Sequence, residues 1–156
     1  MSYIKRAITD TLKKRVNTSK CMLVVGARQV GKSTLIKHEF PEYNRANFDD
    51  SLTRIQVKEE PKLFFFNNPC PLFIDEVQKE GSVLEEIKQK VDESDDRGQF
   101  ILSGSSKLAL MKGVSESLAG RVSVCELTGL SLREINGVKY NKHLIPTDEY
   151  INEREK

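Results

Sequence analysis

The chain is short of several things, and each shortage narrows what it can be. No apolar run in its 156 residues approaches the length that spans a bilayer, so the chain reads as soluble with no membrane partner. The basic N-terminus, Met1 to Arg15, has no apolar h-region and does not read as a secretory signal. Cysteine is scarce and odd in number. Cys21, Cys70 and Cys125 are widely spaced beside strand-like segments, which reads as reduced, mostly buried thiols of a cytoplasmic protein with no metal-ligand pairing. Net charge is only +2, too little for the whole molecule to advertise a polyanionic partner. No internal repeat or low-complexity segment is present. At this length one domain fits, and one three-layer α/β unit fills it.

What is there begins with Gly26-Ala27-Arg28-Gln29-Val30-Gly31-Lys32-Ser33, which has the form G-x-x-x-x-G-K-[ST]. The apolar run Cys21 to Val25 before it reads as a strand, and Thr34 to His38 after it as a helix, so the order is strand, loop, helix. Gly26 and Gly31 lack a Cβ, which lets the backbone turn a ring of N–H groups toward an anion. The helix starting at about Gly31 adds its unpaired first-turn N–H groups and the positive end of its dipole. Lys32 then reaches the β- and γ-phosphates of a nucleotide, and the Ser33 hydroxyl completes the shell of a Mg²⁺ ion.

The second landmark is Leu72-Phe73-Ile74-Asp75-Glu76, an apolar strand that delivers two carboxylates at its carboxyl end, where ligands bind to parallel sheets. Asp75 is expected to hold Mg²⁺, and Glu76 to polarise an attacking water as general base. The bland alternative is a helix cap. A third strand, Gln99 to Leu102, ends in Ser103-Gly104-Ser105-Ser106. Ser103 there either reads the γ-phosphate or the lytic water, or belongs to a Gly/Ser turn and cap at Ser105 or Ser106.

The remaining pattern is plainer. Ile4, Ile8, Leu12 and Val16 fall four apart, which predicts a helix from Tyr3 to Val16 docked on the core. Lys5, Arg6, Lys13, Lys14, Arg15 and Lys20 crowd the first twenty residues and read as a solvated face, or as a contact to the phosphates of DNA. Tyr43 to Phe48 is a weaker strand. Asp49-Asp50-Ser51 reads as the N-cap of a helix to about Val57, with the alternative that the two acids face the nucleotide site. Phe64, Phe65 and Phe66 on a short helix after Pro61 point three ways, into the core and an interface. Further helices are expected at about 81–92, 107–112, 131–136 and 148–156, and a last strand from Val122 to Leu127.

Taken with Glu116-Ser117-Leu118-Ala119-Gly120-Arg121 and Val77-Gln78-Lys79, these stretches resemble the AAA-type ATPase module of many bacterial and archaeal proteins, over about Ile4 to Asn136. The resemblance implies a three-layer P-loop NTPase of AAA/ASCE type with a mainly parallel five-stranded sheet. It implies ATP and Mg²⁺ as cofactors, with Gly31, Lys32, Ser33 and Thr34 on the nucleotide. Asp75 and Ser33 sit at the metal, Glu76 at the water, and Ser103 acts as sensor. Arg121 matches an arginine that neutralises charge on the γ-phosphate, in its own chain or, through self-association, in trans. A salt bridge at a strand start accounts for it equally well. The organisation expected is a basic helix over 1–20, an ATPase domain over 21–136, and over 137–156 a linker or the start of a C-terminal effector domain. The family's chains run on well past this end, so the chain is a fragment or a short member. A nucleotide-dependent switch and a P-loop kinase are the competing readings.

Overall fold

The computed structural model describes residues 3–105, 112–114 and 116–137. Five strands form one sheet: β1 (Cys21–Val25), β2 (Asn44–Asn47), β3 (Leu72–Asp75), β4 (Phe100–Gly104) and β5 (Val122–Glu126). They lie in the order β2-β3-β4-β1-β5, and every neighbouring pair runs parallel. All five carboxyl ends therefore open on one edge. β4 stands between the loop-bearing strand β1 and the acidic strand β3.

Parallel strands buried on both faces read as continuous apolar runs, and β1, β3 and β4 are buried at every position. The pleat then divides them. Cys21, Leu23 and Val25 join one core with Phe48, Phe64, Leu84, Ile87 and Phe100, whereas Met22 and Val24 join another with Leu12, Val16, Leu35, Ile36 and Phe73. The first face is covered by α3 (Ser51–Glu59), α4 (Pro61–Asn67) and α5 (Val83–Glu93). The second is covered by α1 (Thr9–Thr18) and α2 (Lys32–Glu39). This is the three-layer arrangement expected. The helices expected over 107–112 and 148–156, and the cap at Ser106, fall, Lys112 apart, outside the described residues.

Local chemistry explains the boundaries. Asp50 caps α3, its carboxylate accepting from the backbone N–H of Leu52 (3.3 Å) and Thr53 (3.1 Å). The Thr53 hydroxyl, which donates to the same carboxylate at 2.6 Å, and then these two N–H groups hold the Asp50 carboxyl below its usual range. Of the three phenylalanines on α4, Phe64 and Phe65 are core and Phe66 is 81% exposed. The first helix departs from its expected span. It begins at Thr9, with Ile8 as its N-cap, not at Tyr3, because Arg6 is drawn away into contacts with distant segments, and the apolar spacing runs on to Ile4 in a non-helical strap. Cys21 and Cys125 are buried as expected, but Cys70, between two prolines, is exposed.

Candidate functional site

The loop from Gly26 to Ser33 leaves the carboxyl end of β1 and turns into α2. Gly31 at the helix entrance has φ +92°, a left-handed conformation that side chains rarely adopt, and Gln29 holds φ +62° despite its Cβ. Gly26 is required for another reason: a Cβ there would lie 2.2 Å from the carbonyl oxygen of Leu127. The backbone after β5 thus runs against the loop's base.

Lys32 occupies the hollow of this loop. It is 5% exposed, and its ammonium donates to the carbonyl oxygens of Gly26 (3.0 Å) and Ala27 (2.9 Å). Among the described residues no carboxylate pairs with it. A buried ammonium answered only by two neutral carbonyls is an uncompensated positive charge, and that is what an anion needs. Ser33 comes next, half-buried, and Thr34 is exposed.

The acidic strand arrives two strands away. Ile74 pairs with Leu102 across β3 and β4, so Asp75 comes level with Ser103, and Ser103 in turn lies near the end of β4 opposite Val24 of β1. The Ser103 hydroxyl, fully buried, donates to the Asp75 carboxylate in a short hydrogen bond. Asp75 itself is 8% exposed. Among the described residues no group of three His, Cys, Asp or Glu side chains stands ready for a metal ion. The donors on offer are the Ser33 hydroxyl and one buried carboxylate. Such a sparse set suits Mg²⁺, which keeps its waters and binds chiefly through phosphate oxygens.

Glu76 comes next in a left-handed conformation, φ +57° and ψ +43°, which turns its side chain out of the strand direction. Its Oε2 accepts from the Gln78 amide (2.5 Å) and from the Ser105 hydroxyl (3.0 Å), while Gln78 also donates to Ser105 (3.2 Å). The other end of that amide, Gln78 Oε1, is buried and has no hydrogen-bond partner among the described residues. Gln78 and Ser105 lie inside motifs the sequence displays, but no local pattern ties either to the carboxylate. Only the left-handed turn at Glu76 brings them there. Lys79 pairs with Asp49, which ties the turn after β2 to the segment after Glu76 and leaves Asp50 as cap.

Arg121 is not brought to this site. It precedes Val122, which pairs with Cys21 at the start of β1, so it lies at the amino edge of the sheet. The five residues of β1, at about 3.3 Å each, set it about 15 Å from the loop. Its guanidinium is bidentate on Asp92. Of the two readings of Arg121, the salt bridge at a strand start is the one this placement displays.

Four of the six basic residues near the N-terminus are likewise engaged. Arg6 is buried on Glu134, Lys13 pairs with Glu39, Lys20 with Asp95, and Arg15 donates to the carbonyl of Val124. A solvated basic face is therefore smaller than the sequence suggested.

Comparison with known proteins agrees with this fold. A family model described as an AAA domain matches residues 18–136. An uncharacterized protein of Mycobacterium bovis and one of Mycobacterium tuberculosis are each 29% identical over 135 residues, which is 84% of this chain and 30% of theirs. The chain thus spans 30% of the length of the curated relatives it matches. The solved structure of the Walker-type ATPase paby2304 of Pyrococcus abyssi superposes with a TM-score of 0.59 at 15% identity, covering 98% of this chain and 63% of that one. That likeness is one of fold.

Proposed function

Because the chain belongs to the AAA domain family, whose fold it has, we propose that it binds ATP with Mg²⁺ at the loop of residues 26–34 and hydrolyses it. The family and the fold make it a nucleotide-binding domain of ATPase type. The observation that supports hydrolysis is the convergence of three side chains on one sheet edge. The uncompensated ammonium of Lys32 follows β1, Asp75 is the last residue of β3 and is held by Ser103 of β4, and the oriented Glu76 follows β3.

ATP brings the phosphoanhydride, and Mg²⁺ the charge that offsets its oxygens. The chain's own groups do the rest. Gly26 to Thr34 wrap the phosphates with backbone N–H groups, and Lys32 exchanges its two carbonyl acceptors for phosphate oxygens. Ser33 and Asp75 would hold the metal. Glu76 takes the proton of the attacking water as that oxygen bonds to the γ-phosphorus and the bridging oxygen departs on ADP. Ser103 keeps the Asp75 carboxylate aimed. Conformational change then passes to an attached or partner domain, for which the segment from residue 137 is the natural connection.

Steady-state turnover and equilibrium ATP binding test this together. Glu76→Gln should bind ATP and not turn it over, and Lys32→Ala should lose binding. Turnover unchanged in Glu76→Gln would remove the base, and binding unchanged in Lys32→Ala would remove the site.

A second reading is favoured by the placement of Arg121. With that arginine at the far edge, a lone chain does not bring the Arg121 guanidinium to its own γ-phosphate. It then acts as a nucleotide-dependent switch that hydrolyses slowly until another subunit supplies Arg121 in trans. Turnover per subunit that rises with protein concentration favours this reading, and a flat rate counts against it. Transfer of labelled phosphate to an acceptor would instead favour a kinase. DNA as a partner now rests on few basic groups, and binding that does not weaken with salt would contradict it.

A further inference from the structure

Arg6 makes four hydrogen bonds, and ATP hydrolysis as proposed does not use it. It is 6% exposed, in the strap that precedes α1. Its Nη1 donates to the carbonyl oxygen of Val30 at 2.9 Å, and its Nη2 to those of Thr128 (2.7 Å) and Gly129 (3.2 Å). Its Nε donates to Oε1 of Glu134 at 3.0 Å. Glu134 sits on the short helix α6 (Leu132–Ile135), where it closes a capping box with Ser131 and also accepts from the backbone N–H of Ala7. One guanidinium therefore joins the phosphate loop, the segment after β5 and α6.

The contact with Val30 has a directional consequence. In a planar trans peptide the carbonyl and the next N–H point opposite ways. Holding the Val30 oxygen against Arg6 fixes the direction of the Gly31 N–H on the other side of the same peptide. That peptide needs holding. Gly31 sits at φ +92° with no Cβ, so rotation of the unit is cheap, and Nη1 of Arg6 lies 3.8 Å from where a Cβ would be. The neighbouring Gln29 is itself in a left-handed conformation, so the loop is kept in an arrangement it does not favour alone.

We propose that Arg6 is a positioning residue for nucleotide binding: it locks the Val30–Gly31 peptide so that the Gly31 N–H faces the phosphates, and through Glu134 it makes that lock depend on α6. The proposal rests on the loop being the ATP site. Arginine is needed because a lysine ammonium, a point charge, cannot span Val30, Thr128 and Glu134 in one plane. Coupling is then reciprocal. Whatever moves α6 changes ATP affinity, and ATP changes the stability of α6 by the same factor.

Arg6→Lys and Glu134→Gln test it on the whole chain. Neither side chain reaches the reacting atoms, so each should raise the ATP dissociation constant and KM about tenfold while leaving kcat at saturation within about twofold. ATP affinity within twofold of wild type in both variants overturns the proposal. A loss confined to kcat, with affinity intact, overturns it also. Hydrogen exchange in the nucleotide-free protein gives a readout that does not depend on ATP. Faster exchange in residues 27–33 and 128–135, with β3 and β4 unchanged, is the expected result, and uniform acceleration over the whole sheet would reduce Arg6 to a general strap. If the wild-type chain binds no ATP, the proposed function fails separately, and the exchange pattern still decides whether Arg6 holds the loop.

Discussion

Arg121 grips Asp92 with two hydrogen bonds, Nε to Oδ1 at 2.6 Å and Nη2 to Oδ2 at 3.0 Å, at the edge of the sheet opposite the phosphate loop. The carboxyl of Asp92 is held below its usual range by that guanidinium. The pair is exposed, so its share of stability is small. Arg121→Ala should leave ATP affinity and the turnover of dilute protein unchanged and lower the melting temperature slightly. If Arg121 serves a second subunit, the same variant should abolish any rise of turnover with protein concentration. Lost ATP binding in dilute Arg121→Ala would contradict its placement.

Ser103 is fully buried and spends its hydroxyl on Asp75. Ser103→Ala leaves a buried carboxylate short of a donor, and a hydrogen bond to a charged group is worth about 1.5–3 kcal/mol. Turnover should fall about tenfold or more, with a higher Mg²⁺ requirement and ATP binding largely kept. Mg²⁺ titrations of turnover check this, and identical curves for variant and wild type would mean that Asp75 needs no such orientation.

Gln78 and Ser105 share one oxygen of Glu76. Replacing Gln78 by Ala frees the carboxylate to rotate, so turnover should fall about tenfold while the ATP dissociation constant stays put, the pattern of a group acting only in the transition state. Ser105→Ala should act in the same direction. A double variant no worse than either single one would show that the two work as one support.

Gly26 has no room for a side chain, since the Leu127 oxygen lies 2.2 Å from a Cβ at that position. Gly26→Ala should destabilise the fold by about 3 kcal/mol, as other overpacked sites do, because the obstacle is backbone and cannot swing away. Chemical denaturation measures it. A stability unchanged within error would mean that the segment after β5 can retreat from the loop.

The acid limb of stability should report Glu134. Burial would raise its carboxyl, but the N–H groups of Ser131 and Ala7, the Arg6 guanidinium and the Ser131 hydroxyl together bring it down from 4.5 to about 2. A depressed folded value means that the stabilisation is present above about pH 4.5 and is lost as pH falls toward 2. Glu134→Gln should flatten the melting temperature across that window and lower it above. A wild-type slope retained in the variant would assign the acid transition to other carboxylates.

The elements that the sequence specifies are those built from near neighbours. The loop was legible because its glycines, lysine and serine fall at fixed offsets between a strand and a helix. The buried strands were legible because a parallel strand covered on both faces is a continuous apolar run, as in Cys21 to Val25 and Leu72 to Ile74. Asp50 was legible as a cap because its partners, the N–H groups of Leu52 and Thr53, are two and three residues along the chain. The first helix was misjudged at its start because a four-residue apolar spacing continues back through Ile8, the helix's N-cap, to Ile4, where the backbone is not helical.

The sequence by itself therefore determined which groups stand at three strand ends: the loop from Gly26 to Ser33, an Asp-Glu pair and a serine. Tertiary structure alone decided which of these meet. Strand order puts β4 between β1 and β3, and that interval lets Ser103 reach Asp75. The same order sends Arg121 to the far edge. Arg6 and Glu134, 128 residues apart in the chain, come together at 3.0 Å for a reason no local pattern carries. Arg6, unlike Lys32, is buried beside a counter-charge that packing brings from across the fold. Local periodicity fixes which face of an element is apolar, but partners across the fold are chosen by the summed burial of every element at once.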